Sequence, residues 1–299
     1  MSSLSPTASI RLGLISEGTN TWPLYVAQGL KLFEREGVTV DVRLVGSSVK
    51  QQEELIGGAV DVGFQQADHV VRAVERGADL FVFAPHGHAP DLTLVGAPDI
   101  RTIASLRART IAVDGARTGY ALLLRRLLRR NGLGDADVVF REIGGSQERF
   151  DAMKKGQTAA SLLNPPFDAN LLAAGYTSLA RMNEAFPAYP GSVMAARRSW
   201  AHTHRHELEA FVRALAKAYA WLQKPENAGE ALDLLPQRLA IAPRAAASVL
   251  EQLANRPPPQ ISPDGMRQVI DTVWEVEGYA QPKGGPEKYV DLSFAELRG

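Results

Sequence analysis

The sequence predicts an α/β chain of two related lobes, and three observations predict it. Short apolar strands alternate with helices at spacings that fit parallel βαβ units. The order strand, polar corner, small-residue helix in "GGAVDVGFQQADHVVRAVERG" (57–77) returns in "KKGQTAASLLNPPFDANLLAAGY" (154–176). From residue 198 the pattern changes to long helices. A theme repeated once at this distance implies two lobes, not a short-period solenoid.

The elements follow in order. "SIRLGLI" (9–15) reads as a buried strand that ends in the polar loop "SEGTNTW" (16–22). "PLYVAQGLKLFEREG" (23–37) is a helix, with Pro23 suited to its first turn and Gly29 to its end. "VTVDVRLV" (38–45) alternates as a strand, and "GSSVKQQEELIGG" (46–58) opens into a short helix. "AVDVGFQ" (59–65), "ADHVVRAVERG" (67–77) and "DLFVFAP" (79–85) read as strand, helix, strand. After "HGHAPD" (86–91) comes the strand "LTLVGA" (92–97). Residues 105–132 give strand, tight loop and helix, closed by Gly132. "DVVFREIG" (137–144) is a strand, "GSQERFDAMKKG" (145–156) a loop and helix, and "TAASLLN" (158–164) a strand. The long helices are 199–225, 228–239, 243–255 and 266–279. The Pro-rich "RPPPQISPDG" (256–265) is a connector too short to divide domains, and "GGPEKYVDLSF" (284–294) is a tail laid along one lobe.

Composition narrows the function. The 299 residues carry 33 basic and 33 acidic side chains, a balance that argues against a nucleic-acid surface. The cluster "RRLLRR" (125–130) is expected to be a solvated helix face. With no cysteine, disulfides, thiolate nucleophiles and Cys-ligated metals are excluded. No apolar run approaches the length of a membrane span. The opening "MSSLSPTASIRLGLI" lacks a basic n-region, an apolar h-region and a cleavage site, so the chain as written is expected to carry no export signal.

In open α/β sheets ligands bind outside the carboxyl ends of strands, and that rule selects the candidates. The sharpest is "DGARTGYALLL" (114–124). Gly115 and Gly119 permit close backbone approach, the helix start favours an anion, and Thr118 is a further ligand-binding candidate there. Arg117 could add a bidentate grip on a carboxylate, sulfonate or phosphonate, or could lie in solvent. Trp22, Tyr120 and Phe167 could clamp a flat ligand or cap the core. Thr19, Asn20, Ser47, Ser48, Gln65, Gln66, Asn164 and Pro166 lie at the same corners. The neutral hydrogen-bonders among them could serve a ligand or the loop's own turns. Asp114 and Glu17 are the acids expected at the site's mouth. His86 and His88 lie where the chain should cross between lobes, and either could touch a ligand or act as a base. His202, His204 and His206 in "HTHRH" fit a surface turn better than a metal site, so neither metal nor cofactor is expected. The glycine spacing is neither a phosphate loop nor a dinucleotide fingerprint.

Several stretches also resemble one family. "PLYVAQGLKLFEREGVTVDVRLV" (23–45) and "ELIGGAVDVGFQQADHVVRAVERGADLFVFAP" (54–85) resemble the solute-binding proteins of ABC importers. That group includes sulfonate-, taurine- and thiamine-pyrimidine-binding members. "IASLRARTIAVDGARTGYALLLRRLLRRNGLGDADVVF" (103–140) and "AMKKGQTAASLLNPPFDANLLAAGY" (152–176) are similar to its second-lobe passages. The resemblance implies a periplasmic-binding-protein-like fold of type II. Lobe 1 would be 1–87 plus 191–299, lobe 2 would be 88–190, and two crossings would form a hinge. It further implies capture of a small organic anion in an interlobe cleft: a sulfonate, an aromatic or heteroaromatic acid, or a pyrimidine-like compound. The corners 65–69 and 164–167 would face one another there. The implied partners are a permease and an ATPase, the implied location is the periplasm, and a monomer is expected. The alternative is a cytosolic, cysteine-free decarboxylase or lyase on the same scaffold, using His86, His88 or Asp114.

Overall fold

The computed structural model describes residues 8–15, 17–88, 90–239 and 243–295. The chain divides into two compact units. The first comprises Met1–Gly87, Ser192–Ile261 and Glu287–Gly299, and the second His88–Gly191 and Ser262–Pro286.

The first unit is built on a five-stranded sheet. Its strands are β1 (Ala8–Leu14), β2 (Val38–Leu44), β3 (Val62–Gln66), β4 (Leu80–Pro85) and β10 (Ser192–Arg197), in the order β2-β1-β3-β10-β4. β1 pairs parallel with β2 and β3, whereas β10 runs antiparallel between β3 and β4. Every residue of β4 is buried, which accounts for its unbroken apolar run "LFVFAP". The edge strand β2 is mostly accessible beyond Val38 and reads as an alternation. Helices Trp22–Gly29 and Arg205–Leu222 close one face, where the rings of Phe33 and Phe211 stack with centroids 5.5 Å apart. The tail covers the β4 edge. Val82 N–H donates to the Tyr289 carbonyl at 2.8 Å and Asp291 N–H to the Val82 carbonyl at 2.9 Å. Tyr289 is fully buried, its hydroxyl 2.6 Å from a Glu75 oxygen.

The second unit repeats this topology. Its strands are β5 (Thr93–Gly96), β6 (Thr110–Val113), β7 (Val139–Glu142), β8 (Ala160–Leu163) and β9 (Thr177–Arg181), in the order β7-β6-β8-β5-β9. β6 pairs parallel with β7 and β8, and β5 is antiparallel to β8 and β9. β9 and β10 escaped the sequence reading. They are short, lie beside helical stretches, and carry Ala and Arg in place of a β-branched run.

Two expectations are corrected. Residues 262–286 belong to the second unit, not to lobe 1, so the chain passes between units four times, not twice. The cause is the second correction: "RRLLRR" is not a solvated face. Arg126 is 7% exposed, and its Nη1 donates to the Gln268 carbonyl at 2.5 Å and to Thr272 Oγ1 at 2.7 Å on the helix Pro263–Glu277. Arg125 and Arg130 lie over the rings of Phe140 and Phe186. At the start of that helix a Cβ on Gly265 would come within 2.1 Å of the Ala188 carbonyl oxygen, so only glycine permits this approach.

Candidate functional site

The strand ends of the first unit carry polar loops. After β1, Glu17 accepts a hydrogen bond from the Tyr25 hydroxyl, and Asn20 Nδ2 reaches Ser192 Oγ at 3.4 Å. Ser16 and the Thr19 side chain lie outside the described residues. Trp22 is fully buried in the core, so it is no ligand clamp. The large ring, at the start of helix Trp22–Gly29, is part of the first unit's core. After β2, Ser47 caps the helix Ser48–Gly57 by accepting from Lys50 N–H at 3.4 Å, the turn use open to such a residue; Ser48 begins that helix, half-buried.

β3 ends on the most informative side chain of this unit. Gln65 is 1% exposed, and neither its amide oxygen nor its amide nitrogen has a hydrogen-bond partner. Buried amides are normally paired, so an unpaired amide at a strand end stands apart from the rest of the core. Beside it the Gln51 amide nitrogen donates at 2.8 Å to the carbonyls of Gly13 and Phe64, while its amide oxygen has no hydrogen-bond partner. Gln66, half-buried, precedes the helix Ala67–Glu75, which starts without a side-chain cap.

In the second unit β6 leads into the loop 114–118. Thr118 Oγ1 donates to Asp114 at 2.7 Å and accepts from Ala121 N–H at 3.3 Å, capping the helix Gly119–Arg130. Gly119 is buried, and Tyr120 is half-buried beside Asp114 and Arg149. Arg117 does not present a free fork. Its guanidinium is paired with Glu277 and its side chain is 66% exposed. After β8, Asn164 Oδ1 accepts from Ser146 Oγ at 2.5 Å, and its Nδ2 donates to the Pro165 carbonyl at 3.1 Å. The Pro165–Pro166 bond is cis, and Pro166 is exposed. Phe167 packs on Phe150 with centroids 5.7 Å apart, so it caps a small core while one face stays accessible.

One cation escaped the sequence reading. Arg149, on the helix Ser146–Lys154, is 6% exposed. Its guanidinium donates to the Gly144 carbonyl, to Ser146 Oγ at 3.1 Å and to the Leu162 carbonyl at 3.2 Å. Its hydrogen-bond partners are neutral. Burial pulls the guanidinium below the usual arginine range, opposed through space by Asp114 and then Glu148. A single Arg in "SQERFDAMK" reads as solvated. Only the tight turn at Gly144, with φ 103°, folds it back under the strand ends.

His86 also stands apart from its expected role. It is 9% exposed, its ring lies 3.8 Å from that of Phe64, and its Nε2 has no hydrogen-bond partner. Burial lowers its pKa to about 3, so the ring is neutral at physiological pH and is a poor base there. It lines a largely apolar cavity of about 350 Å³ within the first unit. His88 is half-buried. His204 stacks on Trp200 at 4.8 Å while His202 and His206 are exposed, and no metal-binding group of side chains occurs among the described residues. Among the same residues no helix is long and apolar enough to cross a membrane.

With this geometry in place, comparisons place the chain. The model of the NMT1-like family matches residues 3–236. No curated protein sequence matches significantly. Solved structures resemble it along nearly the whole chain. The alkanesulfonate-binding protein SsuA from Xanthomonas axonopodis pv. citri, bound to MOPS, is 20% identical with a TM-score of 0.74, covering 97% of this chain and 100% of that one. The periplasmic aliphatic sulphonate-binding protein SsuA from Escherichia coli is 21% identical with a TM-score of 0.73, covering 93% and 95%. The ligand-binding component of an ABC-type import system from Staphylococcus aureus, solved with zinc, is 16% identical with a TM-score of 0.74, covering 98% and 99%. At these identities the likeness shows the fold, that of periplasmic binding proteins.

Proposed function

We propose, from the premise that this chain belongs to the NMT1-like family, that it is a solute-binding protein that captures a small organic anion for an ABC importer. In each unit the candidate groups lie in the loops at the carboxyl strand ends. In the first unit Gln65, Gln66 and Ser48 supply neutral hydrogen-bonding groups, with Glu17 and Asn20 at the rim. In the second, Asp114 and Tyr120 lie beside the buried Arg149, Asn164 shares Ser146 with it, and Thr118, Gly119 and Phe167 lie in the same strand-end loops. The observation that carries the reading is Arg149, a buried guanidinium hydrogen-bonded only to neutral oxygens. A buried cation without a hydrogen-bonded counter-charge is costly, and an anionic ligand offsets that cost.

Sulfonates and aromatic acids head the ligand classes, because a planar fork matches two oxygens of either. The sulfonate-binding neighbours on the same fold agree with that chemistry. Delivery to a permease and ATPase outside the cytoplasmic membrane completes the proposal. The test is calorimetric titration of the full chain with an alkanesulfonate, benzoate and a pyrimidine, each against a neutral isostere. The expected result is one anion class binding well above its isostere and losing that preference in Arg149→Met. Equal affinity for anion and isostere, or an undiminished Arg149→Met, overturns it.

A further inference from the structure

We propose, as a deepening that rests on the solute reading above, that the anion this chain captures carries an apolar body the size of one or two rings. The first unit houses that body in its cavity of about 350 Å³, at the carboxyl ends of β3 and β4 and against the helix Arg205–Leu222. This cavity is built from the same loops as the candidate groups of the unit. Pro23, in its wall, follows the loop that carries Glu17 and Asn20, and Phe64 directly precedes Gln65. Asn20 Nδ2 reaches Ser192 Oγ at 3.4 Å, and the Ser192 carbonyl accepts from the His86 N–H at 3.0 Å, which ties the rim to a further wall residue.

The character of the walls decides what they take. Phe64, Met194, Leu215 and Ala216 line the cavity, and the rings of Phe64 and His86 lie 3.8 Å apart. A cavity of about 150 Å³ lined by apolar side chains admits benzene, so this one has room for two rings. The charged side chains of the lining are already paired: Arg213 and Lys217 both bind Glu36, at 2.8 and 2.5 Å. Gln223 donates to the Arg256 carbonyl at 2.5 Å, and the Tyr219 hydroxyl to that of Pro257 at 3.5 Å. Such walls favour a guest in proportion to the hydrocarbon it removes from water, whereas an acid group drawn among them would shed its hydration without return. Arg149 therefore selects the acid group, and the cavity selects what that group is attached to. An acid with no apolar body can use only the first of these.

Calorimetric titration of the full chain with methanesulfonate and with 2-naphthalenesulfonate, with ¹³C-methyl methionine as a second reporter, tests the assignment. 2-Naphthalenesulfonate is expected to bind about a hundredfold tighter, with the more negative heat-capacity change. It should shift the Met194 methyl saturably, while methanesulfonate leaves that methyl in place. Ala216→Phe, which fills the cavity, should bring the two affinities close together. Arg149→Met should weaken both sulfonates by a similar factor. Similar affinities of the wild-type chain for the two sulfonates, or an unmoved Met194 at saturating 2-naphthalenesulfonate, overturn the assignment and leave the solute reading standing. Both measurements need no variant. Undiminished 2-naphthalenesulfonate affinity in Ala216→Phe also overturns it. Undiminished affinity for both sulfonates in Arg149→Met, with Met194 still shifting, overturns the solute reading instead.

Discussion

Arg126 and Thr272, 146 positions apart in sequence, meet at 2.7 Å in a buried hydrogen bond that fastens the last long helix to the second unit. The same guanidinium nitrogen reaches the Gln268 carbonyl at 2.5 Å, so one side chain holds two successive turns. Burial and the neighbouring Arg130 pull Arg126 below the usual arginine range, and Glu275 and Asp271 oppose them. Replacing the guanidinium removes both bonds, leaving the Thr272 hydroxyl its bond to the Gln268 carbonyl at 2.6 Å. Arg126→Met is expected to cost about 2–4 kcal/mol in urea unfolding, and to speed amide exchange across 263–277 before other helices. Gly265→Ala should act on the same helix by a different cause, the clash with the Ala188 carbonyl.

His86 makes stability acid-sensitive. Its folded pKa of about 3 lies below an unfolded value near 6.5, so the unfolded chain binds the proton more readily. The contribution is fully present above about pH 6.5 and is lost as pH falls toward 3. At about pH 4.5 the wild-type chain should have lost about 2–3 kcal/mol relative to His86→Phe, read from urea midpoints at pH 7 and 4.5. Parallel pH profiles would mean that His86 titrates normally.

Arg149 and Arg117 should behave oppositely. Arg149→Met should lower affinity for an anionic ligand by about tenfold or more, and Arg149→Lys, which keeps the charge but not the fork, should fall between. Calorimetric titration of the three chains decides it.

Arg117→Ala should leave that affinity unchanged, because its guanidinium is paired with Glu277 and largely in solvent. Its effect on stability should stay within about 1 kcal/mol in urea unfolding. A tenfold loss of anion binding would return Arg117 to the site.

Asp61 anchors a third network, in the first unit. Its side chain is 3% exposed and takes both Arg11 Nη2 at 2.6 Å and Arg11 Nε at 2.9 Å, with Arg197 at 3.6 Å. Asp61→Ala should destabilise by about 3–5 kcal/mol in urea unfolding, since it removes one side of a part-buried ion cluster. A loss below 1 kcal/mol would show the cluster to be solvated.

The alternation of strand and helix and the apolar runs of β1 and β4 were legible in the sequence, because each is set by neighbours a few positions away. So was the set of strand-end corners, since a βαβ chain places those loops by rule. The resemblance of residues 23–176 to solute-binding proteins likewise pointed to the family. What only the tertiary structure decided were pairings across long separations. Arg126 became an anchor because residues 268–272 return to it, and Arg117 was taken by Glu277. Trp22 went into the core, Arg149 was folded under the strand ends, and His86 was left facing an apolar cavity. A side chain's charge and size are written locally. Whether it meets a carboxylate, a carbonyl or an empty space depends on which distant segment packs against it, and a linear pattern carries no record of that.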